Sequence, residues 1–318
     1  MRGFLFEYDP RFRPHPHPTR FGRGGFTGYN VSVPMSGDPL DDLGDPPTKD
    51  DPFDNPGGPP MEASPGGGPS SSEAGNFPAW SGGDLVGIVA VLFIALFLAD
   101  SFALLIANSV SGVSQGHARA LAADPRVVVP AQGVAYLATV GFIISVIKRH
   151  HRRRFWPAVH WRFPGEWLKF LLGGMILAIL IQALSAKLPI PKQMPIDQYF
   201  QSPSGAWMMA GFGTLVAPFC EELFFRGLLF PVVLRRLGMF VAVMVTAGLF
   251  ALIHASQLAH AWAAMSMLFM VGVVLTIVRA RAHSLAASVL VHTGYNLALF
   301  ALLYAGTAGF HDFKRLGQ

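Results

Sequence analysis

The sequence predicts an all-α protein, a polytopic transmembrane helix bundle of about seven spans behind a disordered N-terminal tail. Three observations carry this. Hydrophobic residues make up 52% of the 318 residues and charged residues only 14%, and mean hydropathy is positive, a balance suited to a chain surrounded by lipid. The polar residues are concentrated in the first part of the chain. The apolar remainder divides into stretches near the roughly 20 residues that a membrane-crossing helix needs, and no strand-like alternation competes with them.

Residues 1–83 form the expected tail. They are rich in Gly, Pro, Ser and Asp, as in the runs from Asn55 to Pro60 and from Ser64 to Ser72. Such a segment buries too little apolar surface to offset its ordering entropy. Its start is Arg-, Pro- and His-rich with no apolar core, so it does not read as a signal peptide. His15 and His17 are a poor metal site, because two ligands on a flexible chain carry the whole cost of ordering it.

Residues 84–310 form the expected bundle. The apolar stretches fall at about 85–110, 128–147, 168–187, 206–234, 239–256, 261–279 and 284–306, the fifth being short. If each spans once, three basic groups share one side: Lys148 to Arg154, Arg235 with Arg236, and Arg279 with Arg281. By the positive-inside rule that side is cytoplasmic, which puts the tail inside and the C-terminus outside. Much of the formal charge of +5 sits in the 148–154 cluster. Its expected partner is the lipid bilayer, and nucleic acid is not expected. The single cysteine, Cys220, excludes an intrachain disulfide and a zinc site built from several cysteines.

Against this background the ionisable residues inside the spans stand out. The fourth stretch carries Glu221, Glu222 and Arg226. A charge at membrane depth costs about 2.5–3.5 kcal/mol on insertion scales, so such residues pair or mark a functional site. Glu222 and Arg226 are four apart and share a helix face. Glu221 lies about 100° round the axis, so one glutamate is held while its neighbour stays free. A simple buried ion pair accounts for Glu222 and Arg226 but leaves Glu221 unexplained.

The fifth stretch supplies Phe250 and His254, and the seventh supplies His292 and Asn296, again four apart. At a rise of about 1.5 Å per residue, Glu221, His254 and His292 lie about 20, 22 and 12 Å from the cytoplasmic ends of their helices. All three therefore reach the hydrocarbon interior. A carboxylate and an imidazole can jointly deprotonate water, while a second imidazole and an amide can donate to a developing oxyanion. The set suits hydrolysis of an amide at membrane depth.

The pattern Glu221-Glu222-x-x-x-Arg226, Phe250-x-x-x-His254 and His292-x-x-x-Asn296 resembles the three ordered motifs of the CPBP group. These are the CAAX protease and bacteriocin-processing intramembrane proteases, also called the Abi family. The resemblance covers about 168–306, where the protease core is expected. It implies a CAAX prenyl protease-like endopeptidase of a bacterial plasma membrane, acting on a membrane-associated peptide or protein. It also implies that Glu221 is the general base with His254, and that His292 and Asn296 stabilise the oxyanion. Glu222 and Arg226 would order the site, with Phe250 packed beside it. Cofactors are left open by the resemblance: either none is obligatory, or a divalent metal such as zinc is held by Glu221, His254 and His292. That His₂Glu set is acceptable to zinc, although the compact H-E-x-x-H motif is absent. Water activation without an obligatory metal is the favoured reading, with metalloprotease chemistry as the other.

Different classes of function compete with this one. Glu and His chains also line proton- or solute-translocating pathways, but those favour paired inverted repeats with broken helices, which the sequence lacks. A non-catalytic membrane scaffold would not need three intact motifs. Cys220 with His254 and Asn296 superficially suggests a cysteine protease, yet a free cysteine is commonly a small buried hydrophobe.

Overall fold

The computed structural model describes residues 80–111, 124–191, 194–200 and 202–313, and all regular secondary structure among them is helical. The expected tail lies outside the described residues up to position 79. The bundle opens slightly before residue 84. Trp80 is buried, its indole N–H donates to the Leu228 carbonyl at 3.1 Å, and helix α1 starts at Gly82.

The helices are α1 (Gly82–Ser111), α2 (Pro125–Ser145, continued by a π-helical turn Val146–His150), a short α3 (Phe155–Ala158) and α4 (Trp167–Ser185). After a 3₁₀ turn at Pro195–Phe200 come α5 (Pro203–Gly211), α6 (Ala217–Glu222), α7 (Phe230–Ile253), α8 (Trp262–Ala282) and α9 (Leu285–Gly306). Two π-helical segments, Phe212–Val216 and Leu223–Leu229, join α5, α6 and α7. Starts are set by side-chain caps: Asp124 accepts from the Arg126 N–H, Ser202 from Gly205 and Ser284 from Ala287. Each satisfies a backbone donor that the first helical turn leaves unpaired.

Six of these helical runs are long and apolar enough to cross a membrane, and one of them extends over Pro203–Ile253. A straight helix of that length would run to more than twice the roughly 30 Å hydrocarbon thickness. It is not straight. Gly238 has φ +79°, a conformation that glycine adopts without steric cost. Beyond it the chain folds back, so that Phe225 and Phe250 lie with ring centroids 5.4 Å apart. The run therefore makes two passes, and the protein is a multi-pass integral membrane bundle with about seven crossings, as expected. The fifth pass is shorter than expected: its helix ends at Ile253 and His254 is the C-cap, in place of a position inside a helix reaching 256.

The basic groups gather at one end. Asp84 near the start of α1 pairs with His151 at 3.2 Å, just past the end of α2, and Gly82 lies beside the Arg236 guanidinium. The α8–α9 connection docks there too. The Leu285 N–H donates to the His160 carbonyl at 3.0 Å, and the Ser284 hydroxyl donates to the Arg162 carbonyl. This tucks the first turn of α9 inside the protein, where Leu285 to Ser288 are buried. Counting residues from the helix start therefore makes His292 look shallower than it is. Two helical turns from a recessed start bring it level with Glu222.

The closest helix pair is α4 with α9. A Cβ built on Gly174 would fall onto the Val291 carbonyl oxygen, and one on Gly294 would fall onto the Leu171 carbonyl oxygen. Small residues of this kind let membrane helices approach backbone to backbone. Gly294 lies two residues from His292, so the same contact sets where the imidazole sits. Gly294→Ala should force the two helices apart and lower thermal stability in detergent by about 1–3 kcal/mol, the usual cost of overpacking. An unchanged melting temperature would show that the backbones are not in contact.

Candidate functional site

A carboxylate, a carbonyl and a hydroxyl converge on one buried guanidinium. Arg226 is 0% exposed. Its Nη1 donates to Glu222 Oε1 at 2.7 Å, its Nη2 to the Gly272 carbonyl at 2.9 Å and its Nε to Thr276 Oγ1 at 3.3 Å. The Thr276 hydroxyl in turn donates a hydrogen bond to the Gly272 carbonyl at 2.8 Å. The guanidinium also lies over the Phe250 ring, 4.6 Å from its centroid, a cation–π contact that gains in strength when desolvated. The helical repeat of α8 places Gly272 and Thr276 on one face, four residues apart.

Glu222 is equally buried at 0% exposure. Beyond Arg226, its Oε1 accepts from His292 Nδ1 at 3.0 Å, and its Oε2 accepts from the Ser288 hydroxyl. A carboxylate given three donors in a dry site is held in one orientation. Because the carboxylate accepts, His292 Nδ1 carries the hydrogen, and this turns Nε2 outward. That nitrogen faces the neighbouring glutamate: Glu221 Oε2 is 3.9 Å away. The Glu221 side chain is 15% exposed, and the described hydrogen bonds do not commit it elsewhere. Phe250 packs edge-on to His292 with centroids 5.6 Å apart and fixes the ring plane.

His254 and Asn296 have other partners. His254 Nδ1 lies 2.8 Å from the Phe250 carbonyl of its own helix. The carbonyl can only accept, so Nε2 is left as the basic nitrogen. Asn296 Nδ2 donates to the Gly213 carbonyl at 2.6 Å. The reason is local. In the π-helical segment the Ala217 N–H bonds to Phe212 five residues back. The next bond of that pattern would come from residue 218, a proline with no N–H, and would end on Gly213. Asn296 supplies the missing donor. Cys220 is half-buried beside Glu221 in sequence.

The structure thus gathers Glu222, Arg226 and His292 with Phe250, and sets Glu221 against His292. Sequence reasoning missed Ser288, Thr276 and Gly272. Ser288 was within reach of it, since 288, 292 and 296 form a stripe at helical spacing. As a zinc cage the set Glu221, His254 and His292 does not fit. A tetrahedral ion at about 2.0–2.2 Å from each ligand requires close donor atoms. Among the described residues, the ligating atoms of these three do not all lie within 4.8 Å of one another. A cavity of about 320 Å³ lined by Arg162, Phe163, Glu166 and Lys169 lies elsewhere, and it includes none of the motif residues.

The three donors on Glu222 give a stability prediction. Ser288→Ala removes one of them from a fully buried carboxylate. It should lower stability by about 1.5–3 kcal/mol, the range for hydrogen bonds to charged groups. A melting curve in detergent that overlays the wild type would remove Ser288 from the network.

Residues 203–298 match the family model described as type II CAAX prenyl endopeptidase Rce1-like. The matched range contains all three motifs. No curated protein and no solved structure matches the chain. Over residues 203–298 the chain is similar to the Rce1-like type II CAAX prenyl endopeptidases, which is consistent with the CPBP resemblance of its motifs.

Proposed function

We propose that this protein is an intramembrane endopeptidase that hydrolyses a peptide bond of a membrane-associated substrate with a water activated by Glu221. At the level of the family, the Rce1-like domain supports an intramembrane protease. One observation supports the finer reading: Glu222 is fully committed to Arg226, His292 and Ser288, while Glu221 stands beside His292 Nε2 at 3.9 Å. Two adjacent carboxylates have been given different environments, the usual way to separate a reactive group from a structural one.

The steps follow from these positions. Glu221 takes a proton from water as the oxygen attacks the scissile carbonyl carbon. His254, with Nε2 unprotonated, assists as a second acceptor. The carbonyl oxygen becomes an oxyanion and receives hydrogen bonds from the Asn296 N–H not used by Gly213 and from His292 Nε2 when that nitrogen also carries a proton. Glu221 then returns its proton to the departing amine as the C–N bond breaks. Glu222 and Arg226 touch no reacting atom in this scheme, and they position His292. The CAAX prenyl protease-like substrate, a membrane-associated peptide or protein, belongs to the same proposal.

Glu221→Gln keeps the shape and removes the base. It should lower peptide hydrolysis by about 10²–10⁴-fold, the typical worth of general base catalysis, without a loss of thermal stability. Cys220→Ser should remain active. Near-wild-type turnover by Glu221→Gln would sink the assignment, and a folded but inactive Cys220→Ser would favour a thiol nucleophile. A translocation pathway, by contrast, would give proton or solute flux in liposomes without peptide cleavage.

A further inference from the structure

Asp84, His150 and His151 lie where α1 begins and α2 ends, and the proposed chemistry does not use them. Their ligating atoms all fall within 4.8 Å of one another. Asp84 Oδ2 is 3.2 Å from His151 Nε2, and Asp84 Oδ1 is 3.6 Å from His150 Nδ1. Two donors on one tetrahedral zinc, each at about 2.0–2.1 Å, stand roughly 3.3–3.5 Å apart. The spacing therefore suits a shared ion.

The backbone is shaped to produce this convergence. Adjacent residues of a regular α-helix point about 100° apart and cannot both face one carboxylate. Here α2 ends in the π-helical turn Val146–His150, and His151 follows with φ −96° and ψ −1°. Together these bring the two imidazole rings to a centroid separation of 4.7 Å. Asp84 is oriented in turn by the Ser81 N–H at 2.7 Å and the Ser81 hydroxyl at 3.0 Å, the kind of outer support that metal ligands use. The side chains of Asp84 and His151 are 14% and 15% exposed and that of His150 is 73% exposed, which leaves an open face for a water ligand. A plain Asp84–His151 hydrogen bond accounts for one histidine. It requires neither His150 nor the distorted helix end.

We propose that Asp84, His150 and His151 bind a divalent transition-metal ion of the zinc class, which clamps α1 to α2. Imidazole and carboxylate donors suit such an ion. The flanking Lys148, Arg149 and Arg152 to Arg154 are exposed, so water screens their opposing charge. The ion is structural and separate from Glu221 and His292.

The test is Zn²⁺ and Co²⁺ binding by the full chain, purified without a polyhistidine tag and carrying His15→Asn and His17→Asn to silence the tail. One equivalent should bind, with visible Co²⁺ absorption and a melting temperature that rises with Zn²⁺ and falls back with a chelator. His150→Ala and Asp84→Asn should each weaken binding by about tenfold or more, while Glu221→Gln leaves it unchanged. His150 is mostly exposed, so His150→Ala carries the test even where Asp84→Asn fails to fold. Absence of binding by the parent chain, binding that survives His150→Ala, or binding lost only with Glu221→Gln would each overturn the proposal.

Discussion

The ion pair of Glu222 with Arg226 is the constraint on which the rest of the site depends. Both groups are withdrawn from solvent, and two charges taken out of water repay their desolvation only when every remaining donor and acceptor is satisfied. That demand recruits the neighbours. The pair lies in the run from Pro203 to Ile253, Gly272 and Thr276 come from α8, and Ser288 and His292 come from α9. Three passes of the bundle are thereby pinned at one depth. The pair also orders its surroundings: it selects the Nδ1–H form of His292 and so determines that Nε2 faces Glu221.

Backbone features support the same arrangement. Gly174 and Gly294 allow α4 and α9 to touch, which fixes the height of His292. Gly238 reverses the chain, so Phe250 returns to lie over Arg226. Pro218 interrupts the helix just ahead of the glutamates, in a region where the backbone follows a π pattern. π-helical turns occur often at functional sites. Here the freed carbonyl of Gly213 is met by Asn296, which ties the third motif to the first through the backbone as well as through chemistry.

Much of this was legible in the sequence because the relevant rules are local. Apolar lengths gave the passes, and the four-residue helical repeat gave the Glu222–Arg226 pair. The cost of charge at membrane depth singled out Glu221 and His292, which the structure sets 3.9 Å apart, whereas His254 bonds to the Phe250 carbonyl of its own helix. What could not be read depended on contacts between distant segments. The partner of His292 turned out to be Glu222, since the recessed start of α9 moves His292 deeper than a residue count suggests. Ser288, Thr276 and the Gly272 carbonyl look unremarkable in sequence. They matter only because α8 and α9 pass the buried pair. Asn296 pairs with Gly213 because of a proline 78 positions before it in the chain, a relation that no spacing rule contains.

The central claim is that Glu222 is structural and Glu221 is free, and it is tested most directly by a melting series on Arg226→Ala, Glu221→Gln and the double variant Glu222→Gln with Arg226→Met. Removing one partner of a buried pair leaves a lone charge and typically costs about 3–5 kcal/mol. Arg226→Ala should therefore melt well below the wild type, Glu221→Gln close to it, and the double variant above Arg226→Ala because no unpaired charge remains. If Arg226→Ala melts like the wild type, the pair is not what holds the site together, and the separation of the two glutamates fails with it.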